Sequence, residues 1–254
     1  MLQTALKAAK ASGEILKKYY GKDCGIYNKG DFDIVTDADY ESEKKAIEII
    51  ARDYPTHSFL CEECGDYGNN GSEYKWIVDA LDGTINFSRC FPFFSVSLAL
   101  LKDNLPLISV IYNPITEDLY YAEKGKGAYH NEKKIFISNK KNLNNSIAVT
   151  DLTKDRRYHD EFFKLMALIS KDLFGIRLTQ STSINLAFVA EGKYDIFIKN
   201  KINYYDVIAG SFVCEESGGI AIDFSGKKIS PNSEGIIVSN NLLATKILEK
   251  IRTV

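Results

Sequence analysis

Two aspartates stand three residues apart at the end of an apolar run, in the stretch WIVDALDGTINF (76–87). Asp79 and Asp82 are followed directly by Gly83 and Thr84. An ordinary turn or a helix start needs one such side chain. Two carboxylates beside an unhindered backbone therefore indicate a site for concentrated positive charge, such as a metal ion. A capped turn is the alternative interpretation when the pair is considered alone.

Other acidic residues stand beside apolar strand or helix ends, and they are Asp39, Glu62 and Asp206. Hard divalent cations such as Mg²⁺ prefer carboxylate and carbonyl oxygens, and the Leu81 carbonyl could add one more oxygen. Gly83 and Thr84 begin one predicted helix and Asp206 opens another, so backbone amides at both starts could receive an anion. Metal ions and helix-start amides together indicate phosphoryl transfer, although each residue alone could be a helix cap or a surface charge.

The elements that position these residues in the first half follow from hydrophobic periodicity. Residues 2–20 predict a helix, and a short strand leads into a second helix from about Asp39. Residues 75–79 predict a buried strand that ends in a tight turn. Residues 93–138 predict an antiparallel meander, because extended runs there alternate with turn signals.

The second half predicts alternating strands and helices. The strands are expected at 146–150, 175–178, 194–199 and 236–239, and the helices at about 158–170, 182–190, 205–217 and 241–252. The whole pattern predicts a layered α+β and α/β fold. Because no linker or repeat interrupts it, residues 1–254 are expected to form one unit. Its halves are an α+β half with an antiparallel meander sheet (about 1–140) and an α/β half (about 141–254).

Composition narrows the class of protein. The 254 residues include 26% charged ones with a net charge of −2, which argues against a nucleic-acid partner. No apolar run reaches the roughly 20 residues of a membrane span, and a cytoplasmic location is expected. Five cysteines do not suggest a disulfide framework. Cys61 and Cys64 could form a redox or zinc pair, but no second pair accompanies them, so structural thiols are favoured.

Several motifs resemble those of the inositol monophosphatase family. They are WIVDALDGTINFSRCFPFFSVSLAL (76–100), YYDVIAGSFVCEESGG (204–219), HSFLCEE (57–63), DIVTDAD (33–39) and EKGKGAYHNEKKIFIS (123–138). The first two resemble the D-P-x-D-G-T and W-D-x-A-A-G motifs of that family. The resemblance spans about residues 5–250 in the family's order. It implies an αβαβα sandwich of the inositol monophosphatase and fructose-1,6-bisphosphatase type.

The resemblance also implies roles for individual residues. It implies two to three Mg²⁺ ions, with Mn²⁺ as a possible substitute, held by Glu62, Asp79, the Leu81 carbonyl, Asp82 and Asp206. Asp79 would bridge two ions, and a third, weaker ion would share Glu62. The implied catalytic residues are Asp39, Thr84, Glu62 and Asp79, of which Asp39 and Thr84 would orient the attacking water. The implied substrate-binding residues are Gly83, Thr84, Gln180, Ser181, Thr182, Lys199 and Asp206.

The chain departs from the family pattern at several positions. Ala80, Cys61 and Tyr205 replace a proline, a glycine and a tryptophan beside metal-site residues. In the substrate region, QST (180–182) stands where the family has G-S/T-A, and Lys199 replaces a glutamate that binds sugar hydroxyls. A lysine cannot accept hydrogen bonds, so Lys199 would favour a second phosphate or carboxylate. A Lys199 that points to solvent is the alternative.

The expected function is that of a Mg²⁺-dependent, lithium-sensitive phosphomonoesterase acting on a small molecule, with inositol 1-monophosphate as the first substrate. The alternatives within the family are a fructose-1,6-bisphosphatase, a 3′(2′),5′-bisphosphate nucleotidase, an NADP phosphatase or a histidinol-phosphatase. An alternative of another class is a non-catalytic regulatory protein on the same fold. A homodimer is expected from the resemblance, without an interface signal in the sequence.

Overall fold

The computed structural model describes residues 1–30, 32–69 and 71–252. Its first half contains these elements: α1 (Leu2–Tyr19), β1 (Ile26–Gly30), β2 (Asp33–Thr36), α2 (Asp37–Asp53), β3 (Ser58–Cys61), β4 (Gly65–Gly68), β5 (Tyr74–Asp82), α3 (Thr84–Ser88), β6 (Ser95–Lys102), β7 (Leu105–Asn113), β8 (Asp118–Glu123), β9 (Gly127–His130) and β10 (Lys133–Ile135). The second half contains β11 (Ile147–Thr150), α4 (His159–Ser170), β12 (Gly175–Leu178), α5 (Thr182–Ala190), β13 (Ile196–Asn200), α6 (Tyr204–Glu216), β14 (Ile220–Ile222), β15 (Gly235–Ser239) and α7 (Asn241–Ile251). Two short 3₁₀ turns lie at Leu143–Asn145 and Arg156–Tyr158.

Two large sheets organise these strands. The eight-stranded sheet has the order β10-β9-β8-β7-β6-β5-β3-β4 and is antiparallel except for the β3–β5 pair. The five-stranded sheet has the order β12-β11-β13-β15-β14. In it, β11 runs parallel to β12 and β13, whereas β15 is antiparallel to its neighbours. β1 and β2 form a separate hairpin.

Alternation along the strands divides the core into layers. Trp76 of β5 packs with α1 and α2, and the next residue, Ile77, packs with α5 and α6, because successive side chains of a strand point to opposite faces. In β13, Phe197 packs in the same central layer, whereas Ile198 packs toward α4 and α7. The order is therefore helices, sheet, helices, sheet, helices, and the predicted αβαβα sandwich is confirmed.

The predicted elements of the second half agree with the structure to within about two residues at each end. Four strands were not predicted, namely β1, β3, β4 and β14. Each has three to five residues, a length at which periodicity alone is a weak signal, and β1 and β4 are also largely exposed, so no apolar pattern marks them. The central hydrophobic cluster contains residues of both halves, such as Ile77 and Phe197, and the single unit over 1–254 stays a prediction.

Candidate active site

The end of β5 carries Asp79 and Asp82 in an irregular stretch of strand. Asp79 pairs with Ser97 and Asp82 pairs with Ser95, so β5 has one residue more than β6 across this interval. In a regular strand, residues three apart point to opposite faces, and such a bulge brings them to the same side. The predicted tight turn is therefore wrong, because the strand continues to Asp82 through a bulge.

Both carboxylates open into a cavity of about 350 Å³. Most of the residues expected in the site line it, and they are Glu62, Asp79, Leu81, Asp82, Gly83, Thr84, Gln180, Thr182, Lys199 and Asp206. Asp39 and Ser181 lie behind the lining and contact it through hydrogen bonds to Thr84 and Asp82 respectively. Long-range pairing of strands and helices thus brings together residues that lie far apart in the sequence.

Asp39 and Thr84 form a hydrogen-bonded pair between α2 and α3. The Thr84 hydroxyl lies 3.0 Å from Asp39 Oδ1 and 3.2 Å from the Leu81 carbonyl oxygen. The other carboxylate oxygen of Asp39 accepts hydrogen bonds from the Thr36 amide and hydroxyl, at 2.8 and 2.6 Å, which makes Asp39 part of a capping box at the start of α2. Burial raises the pKa of Asp39 to about 6, although these hydrogen bonds oppose the shift.

Glu62 lies in the turn between β3 and β4, and a buried glutamate on α2 holds that turn. The Glu43 carboxylate accepts hydrogen bonds from the amides of Glu63 and Cys64, both at 2.9 Å. Lys29 Nζ lies 2.8 Å from Glu63 and 3.8 Å from Glu62. Glu43 was not predicted as part of the site. The available signal was its position between Ser42 and Ala46 on the inward face of a predicted helix.

Asp82 contacts the N-terminus of α5. Its carboxylate accepts hydrogen bonds from the Thr182 amide at 3.2 Å, the Ser183 amide at 2.8 Å and the Ser181 hydroxyl at 2.6 Å, and the Ser183 hydroxyl also contacts it. The positive end of the helix dipole stabilises a carboxylate there. Three of these four contacts fall on Oδ2, so Oδ1 retains a lone pair for a cation.

The electrostatics of the cavity favour a divalent cation. Seven carboxyl groups and four lysines line it, which gives three formal negative charges in excess when all of them are ionised. Burial, and then repulsion from Glu62, Asp82 and Asp206, raises the pKa of Asp79 well above its ordinary value. Desolvation raises the pKa of Asp206 to about 6, and desolvation followed by repulsion from Asp206 raises the pKa of Glu62 to about 8. This oxygen-rich donor set fits Mg²⁺.

Lys199 points into the cavity and is 8% exposed, so the alternative of a solvent-facing lysine is wrong. Its ammonium donates to the Thr182 hydroxyl at 3.2 Å, and that hydroxyl donates to Asp151 at 2.8 Å. Asp151 follows β11 and lines the same cavity. Asp151 was not predicted as part of the site, and the available signal was its position directly after a predicted buried strand.

Cys61 and Cys64 are both free, and Cys61 is buried whereas Cys64 is exposed. Their sulfur atoms and a Glu43 oxygen lie within 4.8 Å of one another, an arrangement that could hold a metal ion. Burial raises the pKa of both thiols. Redox chemistry and metal binding need the thiolate, and a raised pKa makes the thiolate scarcer. The shift therefore favours thiols that only pack in the structure over a redox or metal-binding pair.

Five alternating layers with an acidic cavity at the strand ends place the molecule in the fold class of the inositol monophosphatases and fructose-1,6-bisphosphatases. The sequence profile of the inositol monophosphatase family matches residues 1–254, and the chain belongs to that family.

Individual relatives carry two kinds of name. The chain is 35% identical over 259 residues to the inositol-1-monophosphatase of Caulobacter vibrioides, and the match covers 99% of each chain. It is 33% identical over 255 residues to the Nus factor SuhB of Haemophilus influenzae, with 99% of this chain and 96% of that protein covered. The crystal structure of the extragenic suppressor protein suhB from Bartonella henselae superposes with a TM-score of 0.95 at 30% identity, over 98% of this chain and 97% of that one.

Within residues 1–30, 32–69 and 71–252, no helix has the length and apolar character needed to cross a membrane.

Proposed function

We propose that this protein is a Mg²⁺-dependent phosphomonoesterase that hydrolyses a small-molecule phosphate ester, with inositol 1-monophosphate as the first substrate. The observation that carries the proposal is the meeting of two groups of residues in one cavity. These are the carboxylates of Glu62, Asp79, Asp82 and Asp206 and the hydrogen-bonded pair of Asp39 and Thr84. The first group would hold the cations, together with the Leu81 carbonyl, and the second would position water.

Bound Mg²⁺ would supply positive charge that stabilises the phosphoryl transition state and lowers the pKa of the attacking water. The Thr84 oxygen would hold that water, because its hydroxyl proton is engaged with Asp39 or Leu81 and its lone pairs are not. Asp39 would accept the proton through Thr84, and its pKa of about 6 suits a base near neutral pH. The amides of Gly83 and Thr84 would receive the phosphate at the start of α3.

A regulatory role is the second candidate function, because relatives of this chain are named Nus factors. The five acidic residues of the expected site, Asp39, Glu62, Asp79, Asp82 and Asp206, are all present, and this favours the enzyme. The two functions are also compatible in one protein. Inhibition by Li⁺, replacement of Mg²⁺ by Mn²⁺, a cytoplasmic location and a homodimer are further parts of the proposal, and they rest on the family.

The test is phosphate release from a panel of phosphomonoesters with Mg²⁺, without Mg²⁺ and with added Li⁺. We expect hydrolysis that depends on Mg²⁺ and that Li⁺ inhibits. The Asp79→Asn variant should lose roughly 10²–10³-fold in kcat/KM, because it weakens the binding of the cations that would stabilise the transition-state charge. Asp160→Asn, an exposed change in the first turn of α4, is the matched control. Hydrolysis by Asp79→Asn at the wild-type rate would contradict the assignment of the site.

A further inference from the structure

One wall of the cavity consists of four connected residues, which we call the Lys199 cluster: Asp151, Gln180, Thr182 and Lys199. Lys199 lies on β13 and is 8% exposed. Within the described part of the chain its ammonium makes one hydrogen bond, to the Thr182 hydroxyl at 3.2 Å. An ammonium has three donors. The other two are therefore available to a ligand in the cavity that Lys199 lines.

The carboxylates that face Lys199 have other partners. Asp151 is 2% exposed and accepts hydrogen bonds from the Gln180 amide at 2.7 Å, the Thr182 hydroxyl at 2.8 Å and the Asn185 side-chain amide at 2.8 Å. The Lys199 ammonium makes no hydrogen bond to Asp151 in the described part of the chain, but its charge also favours the ionised carboxylate and opposes the rise in the pKa of Asp151 that burial causes. Asp206, the other carboxylate whose charge interacts with Lys199, belongs to the proposed cation ligands. Neither carboxylate accepts a hydrogen bond from the ammonium among the residues that the structure describes, so two of its donors are left for an additional anion.

The cluster is also held in place by its backbone. Gln180 has a φ of +61°, a left-handed conformation that residues with a Cβ rarely adopt. It is maintained by the bond from its amide to Asp151 and by the bond from the Leu152 amide to its side-chain oxygen, at 3.0 Å. Such a conformation persists where the surroundings over-determine it. The two loops that flank Lys199 are therefore tied to each other.

We propose that the Lys199 cluster is a subsite for a second anionic group on the substrate, a phosphate or a carboxylate at the end that does not react. The inference rests on the proposed phosphatase function, and it places small polyol or sugar phosphates with a further anionic substituent ahead of inositol 1-monophosphate as substrates. A buried ammonium with free donors binds an oxyanion through charge-assisted hydrogen bonds. A neutral hydroxyl would accept the same hydrogen bonds without the gain from opposite charge.

The test compares kcat/KM for two matched pairs of substrates. One pair is a hexose 1,6-bisphosphate against the corresponding hexose 1-phosphate, and the other is 2-phosphoglycerate against glycerol 2-phosphate. We expect the wild type to prefer the member with the additional anionic group in at least one pair by about tenfold or more, and the pair concerned distinguishes phosphate from carboxylate. Lys199→Gln should remove most of that preference. Lys228→Gln, which removes an exposed lysine paired with Glu215, should keep it.

Each remaining outcome is decisive. A wild type that hydrolyses both members of each pair equally well overturns the subsite and leaves the phosphatase proposal intact, and this result needs no variant to fold. An unchanged preference in a folded Lys199→Gln protein also overturns it. If no ester is hydrolysed, the phosphatase proposal fails. Calorimetric titration with Ca²⁺ present then tests the subsite alone. The wild type should bind the hexose bisphosphate more tightly than the monophosphate, and Lys199→Gln should lose this difference in affinity.

Discussion

At the scale of single residues, the Thr84 hydroxyl joins Asp39, the proposed general base, to the cavity. It lies 3.0 Å from Asp39 and 3.2 Å from the Leu81 carbonyl. Since the hydroxyl has a single proton, it donates to one of these oxygens at a time and accepts with its lone pairs. Asp39 itself is 4% exposed and lies behind the lining of the cavity, which it contacts through the Thr84 hydroxyl.

Replacement of Thr84 by valine should therefore slow the chemical step. Thr84→Val keeps the β-branched shape but removes the hydroxyl, and we expect kcat to fall about 10²–10⁴-fold, the usual contribution of general acid–base catalysis, with a smaller change in KM. Thr84→Ser should retain most of the rate because it retains the hydroxyl. Steady-state kinetics on the best substrate of the panel measure both. Thr245→Val on the exposed face of α7 is the control, and it should leave kcat unchanged. If Thr84→Val also left kcat unchanged, Thr84 would have no part in the mechanism.

At the scale of elements, the close contact of α5 and α6 sets the distance between two parts of the site. A Cβ atom on Gly210 would lie 2.4 Å from the Cβ of Leu186, so the helices approach as closely as a glycine allows. The first turn of α6 carries Asp206, and the start of α5 holds Asp82. The glycine therefore helps to place two proposed cation ligands relative to each other.

Helix propensity and packing predict opposite effects of Gly210→Ala on the free energy of unfolding. Propensity alone predicts that Gly210→Ala stabilises the protein by about 1 kcal/mol. We expect the opposite, a loss of roughly 1–3 kcal/mol in the free energy of unfolding, because the added methyl group overpacks the interface. Denaturant unfolding measures the difference. Gly71→Ala is the control, and it should be nearly neutral because the nearest atom would lie 3.5 Å from an added Cβ at Gly71. If Gly210→Ala instead stabilised the protein, the two helices could move apart without cost and the packing argument would be wrong.

At the scale of the whole molecule, the site costs stability when no cation is bound. The pKa values of Asp39 and Asp206 are raised to about 6 and that of Glu62 to about 8. A raised pKa means that the folded state binds protons more tightly than the unfolded state. The contribution of each group to stability is complete below its unfolded pKa, near 4, and is lost as the pH rises through the folded value.

The metal-free protein should therefore lose thermal stability between pH 5 and pH 8. Each kcal/mol lost should lower Tm by roughly 2–4 °C in a chain of this size, and Mg²⁺ should restore more stability at pH 8 than at pH 5. Carboxylates with lowered pKa values, such as Asp155 at about 2, stabilise the folded state fully once the pH exceeds their unfolded pKa, near 4. They therefore add no change in stability between pH 5 and pH 8. Melting curves with EDTA and with Mg²⁺ test the prediction. Glu62→Gln should flatten the profile without metal, and a wild-type Tm that rises toward pH 8 in EDTA would contradict the electrostatic account.

The amino-acid sequence by itself determined the type and order of the acidic residues, the helices and longer strands, and the family. Local periodicity and short motifs carry that information, because a helix or a strand of sufficient length is selected by neighbours within a few residues. The layered fold follows from the order of these elements.

Only the tertiary structure decided which side chains meet. The bulge that turns Asp79 and Asp82 to one side depends on the register of β5 against β6. The binding of Asp82 by the start of α5 joins residues about a hundred positions apart, and the link from Asp151 through Thr182 to Lys199 joins three separate elements. Such partners are chosen by packing between layers. The sequence around each residue therefore indicates that its polar side chain is buried, but it does not indicate which distant group forms a hydrogen bond with that side chain.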